Sequence, residues 1–133
     1  MALLVNKDVL KKGYFQLARN VSKHSTMNYK LGAVLVKKKP ISIGFNSYRC
    51  VNRSRVLRRF NAWSAHAEIV AMYSAGASED LKGCSMYVYR EGAFGTPANA
   101  RPCDMCMTVM KEFGIKKVYY TIDTYPFWKE EKL

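Results

Sequence analysis

The sequence predicts an α/β fold, with a mixed sheet of about five strands sandwiched between helices. Three observations predict it. Apolar residues recur at helical spacing near the start, and two β-rich runs joined by a turn come next. Two later segments then open on residues that suit a helix start and close on glycine. The resulting order is α-β-β-α-β-α-β, with one further terminal strand.

Taken in order, residues 8–23 read as an amphipathic helix, because Val9, Leu10, Tyr14, Leu17, Ala18 and Val21 share a face. Leu31 to Val36 and Ile41 to Phe45 are rich in β-branched residues, and Lys37-Lys38-Lys39-Pro40 between them suits a hairpin turn. Residues 46–62 form an irregular loop rich in arginine. The next helix starts near Ser64, a good N-cap, and stops at Gly76. Cys84 to Tyr89 reads as a strand that enters a second loop, Arg90 to Arg101. Pro102 suits the first turn of another helix, which Gly114 ends. Lys117 to Ile122 is a strand, and Tyr125 to Trp128 reads as a short last one. No repeat, low-complexity tract or linker divides the 133 residues, so residues 1–133 are expected to form a single domain, long enough for a core without disulfide staples.

Composition narrows the function classes. A hydrophobic fraction of 49% with 13% aromatics belongs to a globular chain and excludes a disordered one. No apolar run approaches the ~20 residues needed to cross a bilayer. Met-Ala-Leu-Leu-Val is too short for a signal-peptide core and is followed at once by Asn6, Lys7 and Asp8. An intracellular, cytoplasmic protein without a membrane partner is therefore expected. Four cysteines allow three disulfide pairings, but a C-x-x-C spacing in a reducing compartment favours metal. The net charge of +12 is uneven: no acidic residue lies between Asp8 and Glu68, while thirteen Lys and Arg do. Such an interval is either a solvated basic face that keeps the protein soluble or a surface that holds a polyanion by displacing counterions.

The chemistry is concentrated in His66-Ala67-Glu68 and, 34 residues later, Pro102-Cys103-Asp104-Met105-Cys106. One imidazole and two thiolates are three zinc ligands, the number of a catalytic site that keeps its fourth position for water; a structural zinc takes four. Cys103 and Cys106 are three apart and share one helical face, and a helix N-terminus favours thiolate. Glu68, two residues from His66, stands as the proton carrier rather than as a ligand. Residues two apart diverge in a regular helix, so His66 must lie at the helix edge for both to reach one centre. Of the other thiols, Cys84 reads as a buried strand residue. Cys50 sits in the long loop, and as a fourth ligand it would make the site structural.

With these motifs the chain resembles the zinc-dependent cytidine and deoxycytidylate deaminase superfamily, whose signature is H-x-E followed by P-C-x-x-C. The superfamily also contains tRNA adenosine deaminases and polynucleotide cytidine deaminases. The likeness runs from roughly Leu31 to Ile122. It implies a three-layer α/β/α core with the two ligand-bearing helices side by side on one face, a bound Zn2+, and a homo-oligomer. It also implies hydrolysis of a cyclic amidine: water acidified at the metal to a pKa of about 7 attacks the carbon bearing the amine, Glu68 ferries the proton, and ammonia leaves. In the family the last strand returns through a helix or as a hairpin. Only eleven residues follow Ile122, which fits the hairpin.

By the same resemblance Asn46, in Gly44-Phe45-Asn46, hydrogen-bonds the sugar, and the backbone around Ala67 and Pro102 contacts the base. Tyr48, Trp63 and Tyr120 are candidates to stack on it or, equally, to fill the core. Adenosine-type tRNA enzymes commonly carry glutamate before the Pro-Cys pair; here Arg101 stands there, which favours cytosine. A cytidine, deoxycytidine or deoxycytidylate-type substrate would find a phosphate partner in Arg53 or Arg55. A DNA or RNA substrate would use the basic loop from Arg49 to Arg59 as a backbone track. A zinc-containing nucleic-acid-binding module without turnover is the remaining alternative, for which Glu68 would have no use.

Overall fold

The computed structural model describes residues 9–48, 64–76 and 81–133. Its elements, in chain order, are α1 (Phe15–Ser22), β1 (Leu31–Lys37), β2 (Lys39–Phe45), α2 (Ala67–Ser74), β3 (Ser85–Glu91), β4 (Pro97–Ala98), α3 (Asp104–Glu112), β5 (Lys117–Thr121) and β6 (Trp128–Lys132). The strands form one mixed sheet in the order β2-β1-β3-β5-β6, with β4 paired to β3 alone. All pairings are antiparallel except β3 with β5, which are parallel and joined through α3.

Strand alternation decides which helix covers which face. Ala33, Leu35, Met86, Val88, Val118 and Tyr120 point to one side, where they form the main core with Ala67, Ile69, Ala71 and Met72 of α2 and Cys106, Val109 and Met110 of α3. Val34, Val36 and Tyr89 point to the other side and pack on Ala18 of α1. The molecule is thus three layers, as expected. Each fully buried Leu, Ile or Met in the main core is worth about 1.5–3 kcal/mol relative to exposure.

Several boundaries differ from the sequence reading for identifiable reasons. The helix expected over residues 8–23 is broken at Gly13, which takes φ +52° with its bare α-carbon against the Tyr87 ring. Its longest described run starts only at Phe15. The β1–β2 turn is tighter than expected: β1 extends to Lys37, β2 begins at Lys39, and Lys38 alone turns the chain with φ +67°. The helix expected from Ser64 starts at Ala67, because Ala65 is held extended in a bridge to Ser47. The loop from Arg90 to Arg101 contains a hairpin, in which Gly92 N–H donates to Thr96 O and β4 folds back along β3. The last strand lies at Trp128–Lys132 rather than Tyr125–Trp128, and it returns along β5 as an antiparallel hairpin. Cys84 is buried just before β3.

Candidate active site

The first helical turns of α2 and α3 meet above the ends of β1 and β3. His66 is the N-cap of α2 with an extended backbone (φ −82°, ψ 141°), so its ring leaves the helix sideways, while Glu68 occupies the first turn. That break in helical geometry lets residues two apart serve one centre. Cys103 is the N-cap of α3, again extended (φ −68°, ψ 168°), and Cys106 lies within the helix. His66 Nδ1 is 3.5 Å from the sulfur of Cys103 and 3.5 Å from that of Cys106. The three donor atoms all lie within 4.8 Å of one another.

The donor set fits zinc. With ordinary Zn–N and Zn–S bonds of about 2.0 and 2.3 Å, tetrahedral angles require N···S separations of about 3.5–3.6 Å, which is what the trio presents. Hydrogen bonding from Cys106, followed by His66, holds the Cys103 thiol down at about 4. The same bond to Cys103, with burial behind it, pushes Cys106 far up. His66 is raised chiefly by its bond to Cys103. Glu68 is only 4% exposed, and burial pushes its carboxyl above the usual range. A carboxyl held poised to take or give a proton is what a proton carrier requires.

These groups form one end of a cavity of about 480 Å³ lined by Met27, Tyr29, Leu31, Asn46, Ser64, His66, Ala67, Glu68, Arg90, Asn99, Ala100, Arg101 and Cys103. That volume is in the range of small-molecule sites. Two buried side chains fix its walls. Asn46 accepts from Leu31 N–H with Oδ1 at 2.9 Å and donates from Nδ2 to Tyr29 O, so both ends of its amide hold the strand entrance in place. Thr121 donates to Ala98 O at 2.8 Å and accepts from Arg90 N–H at 3.2 Å, while its carbonyl accepts from Ala100 N–H at 2.9 Å.

Of the residues singled out in the sequence, the structure brings His66, Glu68, Cys103, Asn46 and Ala67 to the cavity, with Cys106 against the other ligands. Pro102 is buried between Arg101 and Cys103 and does not line it. Tyr48 lies instead on a separate groove with His24, Phe45 and Val70. Tyr120 is turned into the core by the alternation of β5. Arg53, Arg55, Trp63 and Cys50 lie outside the described residues. Tyr29, Arg90 and Asn99 were not legible as site residues, since only strand register gathers them. The one sequence signal was the break after β3, which turns the chain back over the site.

A model of the family described as "Cytidine and deoxycytidylate deaminase zinc-binding region" matches residues 9–122. No curated protein sequence matches the chain. Among solved structures, the apo dCMP deaminase of cyanophage S-TIM5 is 22% identical with a TM-score of 0.58, over 88% of this chain and 86% of that one. The same enzyme in complex with dCMP and dUMP gives 22% and 0.59, over 86% and 82%. Cytidine deaminase from Burkholderia pseudomallei gives 19% and 0.61, over 88% and 87%. These likenesses show a shared fold. Together with the matched region and the His-Cys-Cys group at the head of two helices, they lead to one conclusion: the chain belongs to the cytidine and deoxycytidylate deaminase zinc-binding family.

Proposed function

We propose that this chain is a zinc-dependent hydrolytic deaminase that converts the cytosine of a nucleotide to uracil. The observation that carries the reading is the convergence of His66, Cys103 and Cys106 beside the buried Glu68 at one end of a nucleotide-sized cavity. His66, Cys103 and Cys106 would hold the metal, with the N-terminal ends of two helices favouring the thiolates. When bound, zinc supplies a Lewis acid that makes water a nucleophile at neutral pH. Glu68 takes one proton from the attacking water and passes it to the ring nitrogen; it then takes the second, from the hydroxyl that becomes the C=O, and passes it to the departing amine. The balance is one water in, one C–N bond broken, one C=O formed and ammonia out. Ala67 borders the base and, by resemblance, offers backbone contacts to it. Among the described residues Asn46 Nδ2 donates to Tyr29 O alone, which leaves its second hydrogen for a sugar hydroxyl.

A second reading, cytosine within single-stranded nucleic acid, has its own support. Tyr29, Tyr48, Phe94 and Tyr125 are 61–87% exposed, and each follows or precedes a strand at the sheet end where the site lies. Exposed aromatics beside cations suit stacked bases and a phosphate backbone.

The deciding experiment is a mass-spectrometric deamination assay of zinc-loaded protein on cytidine, deoxycytidine, CMP, dCMP, oligonucleotides and tRNA. Conversion of a mononucleotide supports the first reading, and conversion only within a polymer supports the second. Glu68→Gln should retain stoichiometric zinc while losing ~10²–10⁴-fold in rate; undiminished turnover in that variant would sink the mechanism.

A further inference from the structure

We infer that Arg90 is the anion-binding residue of the cavity and holds a phosphate ester of the substrate. This deepens, and rests on, the reading of the cavity as a nucleotide deaminase site. Arg90 lies near the end of β3, its backbone fixed by the bond from its N–H to Thr121 Oγ1. Its guanidinium lies over the Tyr29 ring, 4.4 Å from the centroid, and Nη1 donates to Asn99 O at 3.3 Å. Nε is buried and has no hydrogen-bond partner. The side of the fork formed by Nε and Nη2 is therefore free of protein partners among the described residues, and it is the side that can make paired, parallel bonds to two phosphate oxygens.

Charge balance singles out the same residue. Glu91 is taken by Arg19 at 3.3 Å, Glu131 by Arg101 at 2.9 Å and Glu130 by Lys117 at 2.8 Å. No carboxylate among the described residues pairs with Arg90. Of the two arginines that line the cavity among the described residues, Arg101 has a carboxylate partner there and Arg90 has none. The one acid lining the cavity among the described residues, Glu68, is buried on the metal side. A half-buried cation with an unused donor edge gains from an anionic ligand, and holding it against Tyr29 removes much of the ordering cost that binding would otherwise carry. The anionic group of a cytosine nucleotide is its phosphate, whether a free 5′-monophosphate or a diester within a strand.

The test measures calorimetric binding to zinc-loaded Glu68→Gln protein, in which turnover does not interfere. The ligands are cytidine, deoxycytidine, CMP, dCMP and a single-stranded octamer carrying one cytosine. The phosphate-bearing ligands should bind at least ~10-fold more tightly than the nucleosides, and Arg90→Gln should collapse that ratio. Arg90→Lys keeps the charge over Tyr29 but loses the fork; its ratio should fall partway, which covers the case in which the Gln variant unfolds. Loss of preference in the mononucleotide arm assigns a free nucleotide, and loss only in the octamer arm assigns a strand. Equal binding of nucleosides and phosphate-bearing ligands by the parent protein would overturn the inference, as would an equal loss of both in Arg90→Gln. A phosphate preference that depends on Arg90, without deamination of any substrate by the zinc-loaded native chain, would sink the deaminase reading alone. Deamination without phosphate preference would sink only the role of Arg90.

Discussion

Thr121 shows how much of the site depends on a single side chain away from the metal. It is fully buried, and its hydroxyl joins β3 to the Ala98–Ala100 wall. Thr121→Val keeps the shape but leaves Arg90 N–H and Ala98 O without that partner. We expect a loss of about 1–3 kcal/mol in chemical denaturation, with a raised KM because Asn99 and Arg90 lose their anchor. An unchanged KM would mean that the wall is held by other contacts. Residues of this kind explain what the sequence could and could not say. The metal trio and Glu68 were legible because their spacing is local and their chemistry is carried by residue type. Thr121 was not, since a threonine near a strand end carries no sign of what it bridges. Tyr120 was misleading for a related reason. Adjacent strand residues face opposite sides, and of the Tyr119-Tyr120 pair it is Tyr120 that enters the core while Tyr119 stacks on Tyr87 on the other face.

Among the elements, α2 is set by β2. A side chain at Gly44 would collide with the Ala67 carbonyl and come within 2.6 Å of Ala71 N, so the helix seats directly on the strand backbone. Ser42 Oγ adds a 2.6 Å bond to Ala71 O. Gly44→Ala must push away the helix that carries His66 and Glu68. The expected cost is about 1–3 kcal/mol of overpacking, seen as a lower Tm together with substoichiometric zinc. Full zinc occupancy at a lowered Tm would show that the ligands adjust independently of the seat. At this scale the sequence was informative about element order and weak about ends. Hydrophobic period fixes type, whereas ends depend on distant partners: the Ser47–Ala65 bridge delays α2 to Ala67, and the return of β6 along β5 places that strand at Trp128.

For the whole molecule, charge sets the acid limit. A chain with 22 basic and ten acidic residues becomes more positive as carboxylates protonate, and self-repulsion grows. Glu131, hydrogen-bonded first by Arg101 and then by Tyr120, and Glu130, paired with Lys117, are both held below the ordinary glutamate value of 4.5. A depressed folded-state pKa contributes stability above the unfolded value and loses it as pH falls through the folded one. Glu131→Gln should therefore be less stable than the native chain at pH 7, by about 0.5–1 kcal/mol because the pair is partly exposed. The two proteins should converge as pH falls below the ordinary glutamate value and through the lowered folded-state one in urea titrations across pH; a gap constant with pH would remove the carboxylate from the account. The architecture also divides labour. The metal cradle is built from helix starts seated on the sheet, whereas Asn99 and Phe94 belong to a surface hairpin of which residues 92–96 bind mainly to one another. Such a hairpin behaves as a separable unit: lengthening or replacing residues 92–96 would leave the metal cradle at the starts of α2 and α3 in place.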